Sequence, residues 1–192
     1  MSFYSEIIPN LFLGDVEASQ DDDFMSSKKI SIIINCSKNL DNKYVSSLMN
    51  PVEDASEIKK TLLSFSMVYY RIPVDSNGEN AEIDIFYNYT MKILYLIVDE
   101  YKKGKIILVH SLDGDQSSAS FIIAFLMLYK NIKLKASINY LSSKKNDLFD
   151  FGKVIIFKDA LEKIENNLNI SSLKSKNNFN IYKTKIKSDI VL

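Results

Sequence analysis

The sequence predicts an α/β domain with a mainly parallel central sheet flanked by helices, and three observations carry that prediction. Short runs of strand length, rich in β-branched and aromatic residues, recur at Ile30–Asn35, Val68–Val74 and Ile106–Val109. Segments with helical spacing of apolar residues lie between and after them, the alternation expected of a parallel sheet with crossover helices. The chain is also large and apolar enough to build such a layered core: 192 residues, 46% hydrophobic, 25% charged. Disorder needs the opposite balance of low hydrophobicity and high net charge.

The elements follow in order. Phe3 to Leu13 form a short extended pair broken at Pro9, with Gly14 as the exit turn. Val16 to Lys29 are loosely helical, with Asp21, Asp22 and Asp23 as a solvated acidic run. Ile30–Asn35 is a continuous apolar run of the kind buried on both faces of a parallel sheet. Residues 38–50 are polar loop, and Pro51 suits the first turn of a helix running through Val52–Leu63. Val68–Val74 is the second strand, and Asp75–Asn80 (DSNGEN) is a turn cluster. An amphipathic helix spans Ile83–Tyr101, with Ile83, Phe86, Tyr87, Thr90, Ile93, Leu94 and Ile97 at helical spacing. Ile106–Val109 is the third strand. Ser118–Tyr129 is apolar on nearly all sides and predicts a central buried helix, with further helices at 134–145 and 153–166. Residues 1–165 therefore form the domain. Residues 166–192, rich in Lys, Asn and Ser, form a tail that is flexible or loosely docked.

Composition excludes several function classes. Lys+Arg and Asp+Glu are equal at 24 each, which removes the electrostatic case for a nucleic-acid partner. No apolar run approaches the roughly 20 residues of a membrane span. The opening MSFYSEIIPN lacks a basic start and an apolar stretch, so a cytoplasmic or nuclear location is expected and secretion is not. Without secretion, the sequons at Asn35, Asn88 and Asn169 are chance matches. One Cys gives neither a disulfide framework nor a multi-thiolate metal site. DSNGEN has its Gly at the wrong position for a calcium loop, so no metal and no cofactor are expected. His110, Cys36 and Arg71 are the sole residues of their types, and any chemistry must use them or do without them.

The informative segment is Val109-His110-Ser111-Leu112-Asp113-Gly114-Asp115-Gln116-Ser117-Ser118, between a strand and a buried helix. There, helix N-terminal amides can cradle an anion. The segment resembles the H-C-x-x-G-x-x-R-S loop of the cysteine-based phosphatases. His110, Gly114 and Ser118 are in register, Ser111 stands at the nucleophilic Cys and Ser117 at the Arg. Ile7-Ile8-Pro9-Asn10-Leu11-Phe12-Leu13-Gly14 is similar to the I-x-P-x-L-Y-L-G opening of the dual-specificity phosphatases. Ile30–Cys36, Arg71-Ile72-Pro73-Val74, Ala124-Phe125-Leu126-Met127 and Lys133-Leu134-Lys135-Ala136 resemble later segments of that family in the right order. The resemblance implies the dual-specificity-phosphatase fold.

It also implies a chemistry. A Cys thiolate attacks phosphorus, an Arg grips two phosphate oxygens, and an Asp from another loop protonates the leaving oxygen. Ser111 is an alcohol with no evident base, and Ser117 has no charge. Arg71 begins another segment and cannot be assumed to substitute, while Cys36 is expected to be a small buried residue. Asp75 lies about one residue early for the general acid; it is either a remnant of it or a turn residue. Asp113 and Asp115 add negative charge where the family holds a dianion. Unit charges about 5–6 Å apart repel by about 3 kcal/mol at an effective dielectric near 20. His110 is expected to be structural, packing below the loop and bonding backbone.

The expectation is thus a catalytically inactive pseudophosphatase that binds or scaffolds a protein partner in phosphorylation signalling: a phosphoprotein, kinase, phosphatase or adaptor. Its loop would present Asp113, Asp115, Gln116 and Ser117 as an acidic knob suited to a basic partner. The alternative is a divergent phosphatase with weak hydrolysis through Ser111. A Ser111 replacement made to trap substrate would keep the Arg, so Ser117 argues against that origin.

Overall fold

A computed structural model of the chain describes residues 3–44, 61–62, 67–149 and 154–173. Strand β1 (Tyr4–Ile8) turns through Pro9 and Asn10 into β2 (Leu11–Gly14), with Asn10 in the left-handed region at φ 69°. Two short helices follow, α1 (Val16–Gln20) and α2 (Asp22–Ser27). The break between them has a local cause: the Asp21 carboxylate accepts from the Phe24 amide at 3.0 Å and caps α2. Asp21 is therefore a capping residue, while Asp22 and Asp23 are exposed as expected.

Strands β3 (Ile32–Asn35), β4 (Thr61–Leu62) and β5 (Val68–Arg71) lead to the long helix α3 (Asn80–Lys102). Strand β6 (Ile107–His110) feeds α4 (Gln116–Lys130), followed by α5 (Leu134–Lys144) and α6 (Lys158–Leu173). The six strands lie in the order β1-β2-β6-β3-β5-β4. The three inner pairings, β2 with β6, β6 with β3 and β3 with β5, are parallel, and the two outer ones are antiparallel.

Strand alternation builds a core on each face of the sheet. Leu11, Leu13, Ile32, Ile34, Ile107 and Val109 point into the larger core, with Phe86, Leu94, Phe121 and Phe125 from α3 and α4. Phe12, Ile33, Tyr69 and Leu108 point the other way, onto Ala18, Phe24 and Met25 of α1 and α2. Helix α4 is buried from Ser117 to Met127, which explains its nearly all-round apolar character.

Four differences from the sequence expectation have physical reasons. Thr61 and Leu62 pair antiparallel with Tyr69 and Val68 as an edge strand, so the helix expected through Leu63 does not hold there; residues 51–60 lie outside the described residues. The strand expected over Val68–Val74 stops at Arg71, before Pro73, which has no amide to donate. Helix α6 begins at Lys158 and continues to Leu173, past the expected end at 166. Its Asn167 side chain donates to the Tyr87 hydroxyl of α3, an anchor beyond the expected boundary. Residues 174–192 of the expected tail lie outside the described residues.

Candidate active site

The sheet register sets the site. Gly14, His110, Asn35 and Arg71 stand side by side, each the last residue of a parallel strand. The loops that follow therefore emerge together at the carboxyl edge, where open α/β sheets place their ligand sites. The residues next in line are Asp15, Ser111, Cys36 and Ile72.

Between β6 and α4, the loop is built on a close approach. Gly114 adopts φ 67°, and a Cβ there would lie 2.9 Å from the Gly14 carbonyl oxygen. Leu112 accepts from the Val16 amide at 3.3 Å through its carbonyl. Ser111 Oγ lies 2.9 Å from Ser118 Oγ and 3.3 Å from Asp113 Oδ1. The same Asp113 oxygen accepts from the Asp115 amide at 3.1 Å. Ser118 Oγ also reaches the Asp115 carbonyl at 3.1 Å, so the Ser111 hydroxyl sits in a chain of internal partners.

The rest of the sequence motif points inward or sideways. Ser117 Oγ donates to the Cys36 carbonyl at 2.7 Å, away from the mouth. Asp115 Oδ1 accepts from the Phe149 amide and Gln116 Oε1 from the Ile156 amide, each at 3.0 Å. This corrects the expected acidic knob. Asp113 is exposed, Asp115 and Gln116 are half-buried and tied to backbone, and Ser117 is buried. Leu112 joins Asp113 at the exposed tip.

His110 is fully buried, as expected, but the backbone bonding expected of its ring is not made with good geometry. Neither ring nitrogen makes a well-aligned hydrogen bond to a described residue. Burial pulls its pKa down to about 4, with the Ser111 backbone opposing only in part and the Arg71 charge adding to the fall. The ring is neutral at pH 7. Cys36 is buried, and desolvation alone drives its thiol far above the usual range, so it holds its proton. Its amide donates to the His110 carbonyl at 2.8 Å.

Arg71 is committed elsewhere. Its Nη1 and Nη2 donate to the carbonyls of Lys38 and Leu40 at 3.1 and 2.6 Å, and Nε donates to the Tyr69 hydroxyl at 3.0 Å. Asn35 Nδ2 reaches the same Leu40 carbonyl and Tyr69 hydroxyl at 2.9 and 3.0 Å. These side chains hold the loop after β3 in place.

Asp75 lies four residues after β5, just before the bend at Ser76 and Asn77. Its amide donates to Glu82 Oε2 at 2.9 Å, and its carboxylate faces Lys38 Nζ at 3.8 Å. Glu82 is buried, and its second oxygen takes Lys38 Nζ at 3.2 Å. Sequence reasoning missed Glu82 as an organiser because it began the helix at Ile83, whereas α3 starts at Asn80 and carries Glu82 in its first turn. It also missed Asn35 and Tyr69, on β3 and β5, whose sequences give no sign of side-chain hydrogen bonding. For Glu82, a first-turn acid beside a run of small and polar residues was the available signal.

The loop's hydroxyls bond one another and a carboxylate, and the chain's cationic fork is bound to carbonyls.

The chain matches the family model described as dual specificity phosphatase, catalytic domain, over residues 11–167. Protein 123R of Invertebrate iridescent virus 6 is 26% identical over 115 residues, 58% of this chain and 81% of the relative. Dual specificity protein phosphatase 6 of Homo sapiens is 26% identical over 164 residues, which covers 83% of this chain but only 38% of the relative. Among solved structures, human DUSP28 superposes with a TM-score of 0.68 at 17% identity, covering 88% of this chain and 97% of that one. The human tyrosine phosphatase-like serine/threonine/tyrosine-interacting protein does so with a TM-score of 0.62 at 20% identity, covering 88% and 98%.

Proposed function

The chain belongs to the dual-specificity phosphatase catalytic-domain family, and from that premise we propose that it is a pseudophosphatase: a protein-binding or regulatory module of phosphorylation signalling. One observation carries the reading. The side chain at the family's Arg position, Ser117, is buried and bonded to the Cys36 carbonyl at 2.7 Å, so that position offers no phosphate-gripping group to the loop. A fork that stabilises charge only in the transition state is among the larger single contributions in phosphoryl transfer. The other parts agree. Ser111 replaces a thiolate with an alcohol, Cys36 is buried and protonated, and Arg71 is bound to backbone.

Binding in place of turnover also fits a surface whose tip is Leu112 and Asp113. A carboxylate there repels phosphate and suits a basic partner. The tyrosine phosphatase-like relative among the solved structures is named for its interactions, and that role is part of this proposal. A cytoplasmic or nuclear site of action completes it.

A second reading has its own observation: Asp113 Oδ1 lies 3.3 Å from Ser111 Oγ and can accept its proton. That reading makes the chain a divergent phosphatase acting through Ser111. Hydrolysis of a small aryl phosphate separates the two. No turnover is expected from the unmodified chain or from Ser111→Cys, and some from Ser111→Cys/Ser117→Arg. Turnover by the unmodified chain that disappears in Ser111→Ala would establish the second reading, and micromolar affinity for a phosphopeptide would contradict the assignment of the tip to a basic partner.

A further inference from the structure

The exposed large hydrophobic residues among the described residues are Phe3, Leu112 and Val154, at 49%, 65% and 78%. Hydrogen bonds at or near each of the three tie the chain there to the loop between β6 and α4. Leu112 is its tip, and the Phe3 carbonyl holds the Asp15 amide at 3.1 Å, next to the Val16 amide that bonds Leu112. Val154 stands two residues before Ile156, whose amide is bonded to Gln116. One exposed leucine means little, but three exposed apolar residues on segments bonded to one loop mark it as a candidate interaction surface. Asp113, next to Leu112, is exposed, and so is Glu17, next to the Val16 whose amide bonds the Leu112 carbonyl.

The chain itself contains a complement. Residues 1–173 hold 19 basic and 23 acidic side chains, net −4, whereas residues 174–192 hold five Lys and one Asp, net +4. The reach is sufficient. Helix α6 starts beside the mouth, because Ile156 lies two residues before Lys158, and it runs 16 residues to Leu173. At 1.5 Å per residue its end is about 24 Å away, a distance that about seven extended residues recross. The first stretch able to return is Ile181-Tyr182-Lys183-Thr184-Lys185-Ile186-Lys187, which interleaves apolar and basic side chains.

We propose that residues 181–187 dock in cis on the loop mouth, lysines against Asp113 and Glu17 and apolar side chains against Leu112, Phe3 and Val154. This rests on the reading of the mouth as a protein-docking surface, and it adds regulation: the segment competes with any partner that binds there.

Zero-length carbodiimide coupling of the full chain, read by peptide mass spectrometry, tests it. Lys183, Lys185 or Lys187 should couple to Asp113 or Glu17 with a yield independent of protein concentration and reduced by salt. Leu112→Ser keeps every coupling group and leaves an exposed site exposed; it should lower that yield several-fold. Coupling to Asp159 or Glu162 of α6 as often as to Asp113 and Glu17 would overturn the proposal. So would a yield that rises with concentration, which marks a second copy, or one unchanged in Leu112→Ser. None of these outcomes bears on phosphatase activity, which the aryl phosphate assay reads separately.

Discussion

Acidification perturbs one group in this protein in an isolable way. The chain has a single histidine, fully buried at the end of β6, and its pKa falls from 6.5 to about 4 on folding. Below 6.5 the unfolded chain takes up a proton that the folded chain refuses. Stability is therefore complete above about pH 6.5 and declines as pH falls toward 4. Each pKa unit corresponds to about 1.4 kcal/mol, so the whole shift is worth about 3 kcal/mol, of which about 2 kcal/mol is lost between pH 7 and 5. Below pH 5 the carboxylates titrate as well, so the higher window isolates the ring.

Two measurements check this. The Hε1 resonance of the one histidine should show no titration step near pH 6.5. Urea unfolding at pH 7 and pH 5 should show the loss of about 2 kcal/mol in the wild-type chain. His110→Phe, which keeps a flat ring and removes the proton site, should flatten the dependence over the same window. A ring that titrates near 6.5 in the folded protein, or an identical slope in the variant, would refute the reasoning, because either means that the imidazole is solvated or paired.

Further outcomes are expected at the loop and beside it. Gly114→Ala puts a Cβ 2.9 Å from the Gly14 carbonyl oxygen at φ 67° and should cost about 2–4 kcal/mol in urea unfolding. Gly78→Ala, at φ 80° but with nothing within 4 Å, should cost only the conformational share of about 1–2 kcal/mol. Arg71→Lys keeps the charge but cannot bond the Lys38 carbonyl, the Leu40 carbonyl and the Tyr69 hydroxyl together. A loss of about 1–3 kcal/mol is expected, and an unchanged midpoint would show that the fork does not hold the loop.

Periodicity made most of the fold legible. Ile32–Asn35 and Ile107–His110 are buried on both faces, so their runs are unbroken and visible. Their alternation into two cores, Ile33 and Leu108 one way and Ile34 and Val109 the other, leaves no mark when both faces are apolar. Thr61 and Leu62 escaped because a two-residue edge strand is too short to show a period. The site was legible in position and not in direction. The phosphatase resemblance placed Ser111, Gly114 and Ser117 in one loop, yet a motif does not say which way a serine points. The ties from Asp115 to Phe149 and from Gln116 to Ile156 span 34 and 40 residues and end on backbone amides. Every non-proline residue has such an amide, so nothing in the sequence singles out the partner.

Those inward ties bear on what restoring two side chains can achieve. At the Arg position, Ser117 Oγ satisfies the buried Cys36 carbonyl. Cys36 in turn bonds the His110 carbonyl through its amide, which links the β3 loop to the end of β6. An arginine there removes that bond from the carbonyl, a loss of about 1–3 kcal/mol for a buried acceptor. It must also carry a guanidinium out of a buried position to the mouth. There it meets the exposed Asp113, whose Oδ1 already accepts from the Asp115 amide, and the new cation pairs with that carboxylate in preference to an incoming phosphate. Ser111→Cys/Ser117→Arg should therefore gain less activity than the same pair with Asp113→Ala added, measured on one aryl phosphate. Equal activity would mean that Asp113 does not compete for the anion's place.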